Sequence, residues 1–255
     1  MFSDKGDAFL CMRVRSNRSI QMSDGSTGYI HDILGVPHPE KRVTIKLKPK
    51  PNVDWLEYYG RMLLYNNPKW LEKLAASLNV TYSSLVVLGA VWSTRHQAWG
   101  FPMRDGHGDM VGIRLRNDSG HKWAKTGSKN ALFIPYDIQA HKRLWLFEGP
   151  TDTAAAISIG LNAFGRPSCS SGLFDILTLV KRLRTTELVI VSDGDKVGLD
   201  GAEVLVHHLP IKSVVITVPG KDMRDFVKKG GRAKGLTSMV NSMVWRLPAV
   251  GSGRS

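Results

Sequence analysis

The regular exchange of strand and helix over residues 144–218 limits the fold of this chain more than any other feature. Residues 144–147 (Leu-Trp-Leu-Phe) form an apolar run of strand length, 151–160 a helix, 161–164 a strand and 173–183 a helix. The pattern continues with a strand at 188–191, a helix at 201–208 and a strand at 213–218. Strands separated by helix-length segments cannot pair as hairpins. They need crossover connections, which give a mostly parallel sheet with helices on its faces. The expected fold class is therefore α/β, a Rossmann-like sheet flanked by helices, and such sheets bind ligands at the carboxyl ends of their strands.

The first 140 residues read differently. Residues 54–88 carry helical spacing, with Trp55, Tyr58, Tyr59, Met62 and Leu63 on one face and Trp70, Leu71, Leu74 and Leu78 on another. Asn79-Val80-Thr81 interrupts them, and Thr81 or Ser83 caps a further helix. Residues 97–102, 110–116 and 122–124 read as antiparallel strands, joined by turns at Arg104-Asp105-Gly106 and Asn117-Asp118-Ser119-Gly120. A small α+β unit in front of the parallel sheet follows from this. Residues 41–51 read as a short strand leading through Pro49 and Pro51 into a linker, after a turn at Ser23-Asp24-Gly25-Ser26. The expected organisation is an N-terminal segment 1–50, an α+β subdomain 51–140, an α/β domain 141–235, and a C-terminal helix with a flexible tail over 236–255.

Charge points to the partner. The chain has 35 Lys and Arg against 22 Asp and Glu, a net charge of +13 over 255 residues. The surplus is spread evenly: +7 up to residue 140 (19 basic against 12 acidic residues) and +6 beyond it (16 against 10). An excess of that size raises the local concentration of a polyanion such as nucleic acid. With only Cys11 and Cys169, neither a disulfide framework nor a four-ligand zinc site can be assembled, and a reducing cytoplasm is the expected compartment. No run approaches the roughly 20 apolar residues of a membrane span, so no membrane partner is expected.

Two acidic clusters fall where the α/β pattern would place a ligand. Glu148 follows the strand 144–147, and Gly149-Pro150-Thr151-Asp152 turns the chain into a helix. Asp193 and Asp195 follow the strand 188–191, with Gly194 between them. An isolated Asp-Gly-Asp is more often a turn. Three carboxylates at the ends of neighbouring parallel strands are instead a hard-oxygen set of the kind that holds Mg²⁺ or Mn²⁺ on a substrate phosphate. Nucleotidyl transfer develops negative charge on the attacking oxygen, the non-bridging oxygens and the leaving pyrophosphate, which such ions stabilise. The small residues Ser170, Ser171 and Gly172 leave backbone N–H groups free for phosphate. In Gly220-Lys221-Asp222-Met223-Arg224-Asp225, Asp222 is a further candidate metal contact, and Lys221 or Arg224 a candidate contact for a triphosphate.

These residues resemble the Toprim domain shared by bacterial-type primases, type IA and type II topoisomerases and OLD-family nucleases. That family carries a Glu after its first strand and an Asp-x-Asp after a later one, here Glu148 in Leu-Phe-Glu-Gly-Pro-Thr-Asp and Asp193 and Asp195 in Ser-Asp-Gly-Asp-Lys-Val-Gly-Leu-Asp-Gly-Ala. Within it the chain is most similar to DNA primases of bacterial and phage type, including the primase half of phage primase-helicases. The similarity extends over roughly residues 55–235 and takes in the basic strands upstream. It implies a magnesium-dependent enzyme that makes short RNA primers on single-stranded DNA from nucleoside triphosphates, with a replicative helicase as a candidate partner. By the same resemblance Arg114, Arg116, Lys122, Lys125, Lys129 and Lys221 are candidates to hold template or nucleotide, and Trp123 to stack a base.

The chain departs from that pattern in two places. Such primases begin with a four-ligand zinc ribbon, whereas here Ala8-Phe9-Leu10-Cys11 and the segment after Asp24 resemble the tail of a ribbon whose cysteines are replaced, so no zinc is expected. No Gly-x-x-x-x-Gly-Lys-Ser/Thr loop is present, so no helicase motor is expected within the chain. Two other functions share the same residues: a Toprim nuclease with water as nucleophile, and a catalytically weak single-stranded-DNA-binding module of a phage or mobile-element replication system.

Overall fold

A computed structural model describes residues 8–11, 14–21, 27–32, 53–192 and 194–248. Internal contacts divide the chain into two units, Met1–Asn52 and Val53–Ser255. In the first, β1 (Ala8–Cys11), β2 (Ser19–Gln21) and β3 (Thr27–Asp32) form an antiparallel sheet in the order β1-β3-β2. The strand expected over 41–51, the turn at 23–26 and the tail after residue 248 lie outside the described residues.

The second unit opens with three capped helices. Asp54 begins α1 (Trp55–Leu63) by accepting from Glu57 N (2.9 Å), and Asn67 begins α2 (Pro68–Leu78) with proline at its first position. Thr81, one of the two residues expected to cap the next helix, accepts from Ser84 N at the start of α3 (Tyr82–Val87). An antiparallel sheet follows, in the order β4-β5-β6-β7, from β4 (Val91–Ser93), β5 (Ala98–Arg104), β6 (Met110–Arg116) and β7 (Lys122–Ala124). The strand β4 was not evident from sequence. The two expected turns are held by side chains: Asp105 accepts from the N–H groups of His107, Gly108 and Asp109, and Asn117 from His121 N.

The α/β pattern then runs through β8 (Arg143–Glu148), α4 (Pro150–Ser158), β9 (Ala163–Arg166), α5 (Leu173–Arg182), β10 (Glu187–Val191), α6 (Lys196–His208) and β11 (Lys212–Ile216). Helices α7 (Met223–Lys228) and α8 (Ala233–Asn241) follow. The strands form one wholly parallel sheet in the order β11-β10-β8-β9. Period-two alternation sends Leu144, Leu146, Leu188 and Ile190 to a core with α5 and α6. Trp145, Phe147, Val189 and Val191 enter a second core with α4, α7 and α8. The result is a three-layer sandwich buried on both faces, as parallel sheets require.

Two isolated antiparallel bridges close the edges of this sheet. Phe133 pairs with Gly165 of β9 (2.8 and 2.9 Å), and the adjacent Leu132 pairs with Arg104 of β5 (2.7 and 2.8 Å), so residues 132–133 join the two sheets of this unit. At the other edge Arg246 pairs with Ser213 of β11 (2.8 and 3.0 Å).

Candidate active site

The strand order sets the location. From β8 the chain passes through α4 to β9 on one side, then crosses back through α5 to β10 on the other. The carboxyl ends of β8 and β10 therefore flank a topological switch point, where crevices form in sheets of this type. Glu148, half-buried, is the last residue of β8. In the parallel register Ile190 faces Leu146, and continuing by two residues brings Ser192 level with Glu148. Asp195 follows as the exposed N-cap of α6, its Oδ1 accepting from Gly198 N at 2.7 Å. That capping bond starts α6 five residues ahead of the helix expected at 201–208. Asp193 lies outside the described residues.

The loop after β9 lies at the same rim. Gly201 of α6 abuts it so closely that an added Cβ would sit 2.7 Å from the Cys169 carbonyl oxygen. Burial, then the charges of Glu148 and Asp195, hold the Cys169 thiol above its ordinary range, while Arg166 acts in the opposite sense. One half-buried sulfur thus senses Glu148, Asp195 and Arg166 together. Of the expected phosphate-loop residues, Ser171 is buried and bonded to Ser168 (Ser168 Oγ to Ser171 Oγ, 2.9 Å). Ser170 is exposed, and Gly172 takes a positive φ of 86° as the N-cap of α5.

A second acidic group braces this rim. Asp222 caps α7, with Oδ1 accepting from Asp225 N (2.9 Å) and Oδ2 paired with Arg224 Nη2 (2.7 Å). Burial alone would raise its pKa, but these contacts outweigh it and hold the carboxyl below its ordinary value. Arg224 Nε also lies 3.5 Å from Oδ1 of Asp152 in the first turn of α4. Both oxygens of Asp222 are thus engaged within the protein, and Arg224 ties α7 to α4. Lys221 is exposed beside them.

The basic residues of the antiparallel sheet divide between its two faces. Arg116 pairs in register with Lys122, and Arg114 with Ala124, so Arg114, Arg116 and Lys122 share one face. Burial lowers the proton affinity of Arg114 and Arg116, and the like charge of Arg224 adds to the effect on Arg116. Lys125 turns the other way, with Nζ 5.4 Å from the centroid of the Tyr58 ring. Trp123 packs on that side with Ile113 and Leu115, and Lys129 is exposed.

Among the described residues no group of three or more His, Cys, Asp or Glu side chains is arranged to hold a metal; Asp193 is not among them. A cavity of about 660 Å³ lies at the opposite end of the strands, lined by Lys142, Arg143, Trp145, Asn162 and Glu187 among others. Two features escaped the sequence reading. One is the Asp152–Arg224 link, which no spacing reveals. The other is Arg166, 3% exposed, at a position taken as lying beyond its strand. No helix among the described residues is long and apolar enough to cross a membrane.

By sequence the chain matches no family model and no curated protein. By structure it is similar to primases. A DnaG catalytic core aligns with a TM-score of 0.59 at 16% identity, covering 73% of this chain and 79% of that one. A DnaG primase catalytic domain bound to single-stranded DNA gives 0.54 at 16% identity, covering 68% and 71%. The primase fragment of the bacteriophage T7 primase-helicase gives 0.52 at 17% identity, covering 65% and 72%. The chain has the fold of bacterial and phage primase catalytic cores.

Proposed function

We propose that this protein is a DNA primase that joins ribonucleotides into short primers on single-stranded DNA. The observation that carries the reading is the convergence of Glu148 and Asp195 at the switch point of a parallel sheet, in the fold of primase catalytic cores. Carboxylate oxygens from Glu148, Asp193 and Asp195 suit Mg²⁺ or Mn²⁺, and such an ion would supply charge stabilisation on the triphosphate. The chain's own residues do the rest. Glu148 would accept the proton of the attacking 3′-hydroxyl, and its place at the end of β8 limits its reorganisation.

The face carrying Arg114, Arg116 and Lys122 offers charge to template or nucleotide phosphates, and Lys221 offers more beside α7. A replicative helicase is the partner such an enzyme would serve. The test incubates the protein with labelled ribonucleotides, single-stranded DNA and Mg²⁺ or Mn²⁺, beside Asp193→Asn. Oligoribonucleotides lost in the variant support the proposal. Shortened template would indicate a nuclease, salt-sensitive binding without turnover a binding module, and either result sinks the primase reading.

A further inference from the structure

Among the described residues two charged side chains are buried, Glu187 (7% exposed) and Arg166 (3%). Glu187 is accounted for by Arg143 and Lys142 at the amino end of the sheet. Arg166 stands at the carboxyl end, and in the β8–β9 register its partner is Glu148. Register partners of adjacent strands share a face of the sheet. The backbone there is fixed from both sides: Gly149 N donates to Arg166 O at 2.8 Å, and the preceding Gly165 pairs with Phe133. Gly165 also packs so tightly that an added Cβ would lie 2.3 Å from Thr153 Oγ1 and 3.0 Å from Gly149 O. A guanidinium taken out of water on so rigid a strand is costly unless it faces anions, and the acids of this rim are its neighbours.

We propose that Arg166 is the positioning residue of Glu148, its buried guanidinium fork holding the carboxylate of the adjacent strand end in the orientation that the metal and the 3′-hydroxyl require. Its charge and that of Glu148 act on the Cys169 thiol in opposite senses. The inference deepens the primase reading and rests on it for the activity arm of the test alone.

The test is a double-mutant cycle on Mn²⁺ binding, followed by the paramagnetic resonance of free Mn²⁺. Wild type, Arg166→Met, Glu148→Gln and the double variant are compared. Each single change is expected to weaken Mn²⁺ about 10-fold. The double variant should bind no more weakly than Glu148→Gln, because Arg166 acts through that carboxylate. In primer synthesis Arg166→Met should lower kcat about 10-fold or more with KM for nucleotide unchanged, and Arg166→Lys should recover part of the loss. Losses that multiply in the double variant, wild-type affinity in folded Arg166→Met, or no Mn²⁺ binding by the wild type would each overturn the proposal. Where Arg166→Met does not fold, Arg166→Lys carries the same cycle. Should the wild type make no primers while the cycle holds, the primase reading fails and the positioning role stands.

Discussion

The two ends of the parallel sheet solve the same electrostatic problem in opposite ways. At the amino end a buried acid, Glu187, is surrounded by cations: Arg143 Nη2 at 2.8 Å and Lys142 Nζ at 3.0 Å, with Arg143 also bonded to Asn241 and stacked 4.9 Å from the Trp245 ring centroid. Each group there has its partners, and the cluster welds the C-terminal segment to the sheet. At the carboxyl end a buried cation, Arg166, stands beside acids, of which Asp195 is exposed. One end is closed on itself and structural. The other carries an exposed carboxylate, Asp195, at the start of α6.

Substitutions at the two ends are therefore expected to fail differently. The largest effect is expected from Glu148→Gln, which should cut primer synthesis by about 100-fold or more while leaving the urea midpoint almost unchanged. Glu187→Gln should do the reverse. It leaves Arg143, with an 18% exposed side chain, without its carboxylate, and should cost roughly 2 kcal/mol in urea unfolding with kcat intact; the exposed Lys142 contributes little. Activity lost in Glu187→Gln at unchanged stability would erase the distinction.

Acid sharpens it further. Burial alone would raise the Glu187 pKa, but the bonds from Lys142 and Arg143 outweigh burial and depress it. A carboxylate with a depressed folded-state value contributes stability above its unfolded value, near 4.3, and loses it as pH falls through the folded value. The stability gap between wild type and Glu187→Gln should therefore narrow below about pH 4, as read from thermal melts at stepped pH. Smallest of all, Arg246→Ala removes a surface pair with Glu203 (3.1 Å) and should shift stability by less than about 0.5 kcal/mol.

Much of this was legible in the sequence because it is local. Apolar runs, caps and turns gave the parallel sheet, the three antiparallel strands β5 to β7, and the position of Glu148 at a strand end. Errors arose where a residue serves two purposes. Asp195 reads as a ligand, yet it also caps α6, so that helix starts at Lys196 despite Gly198 and Gly201. The strand read at 161–164 runs instead over Ala163–Arg166, because Leu161 still closes the end of α4 through its N–H to Ala156 O (3.1 Å). A charged residue followed by proline reads as loop, so Arg166 passed unnoticed. The strand that carries it is held by residues 133, 149 and 153, and no window of sequence contains them all.

The bridges at Phe133 and Arg246 have a consequence beyond holding segments in place. A sheet edge offers a row of unpaired N–H and C=O groups on which another chain can extend it. Here each flank of the parallel sheet is met by a single residue running the opposite way, one from the connection between the sheets and one from near the C-terminus. Each blocks its flank with two hydrogen bonds. These two stoppers remove templates on which neighbouring copies would otherwise stack strand to strand.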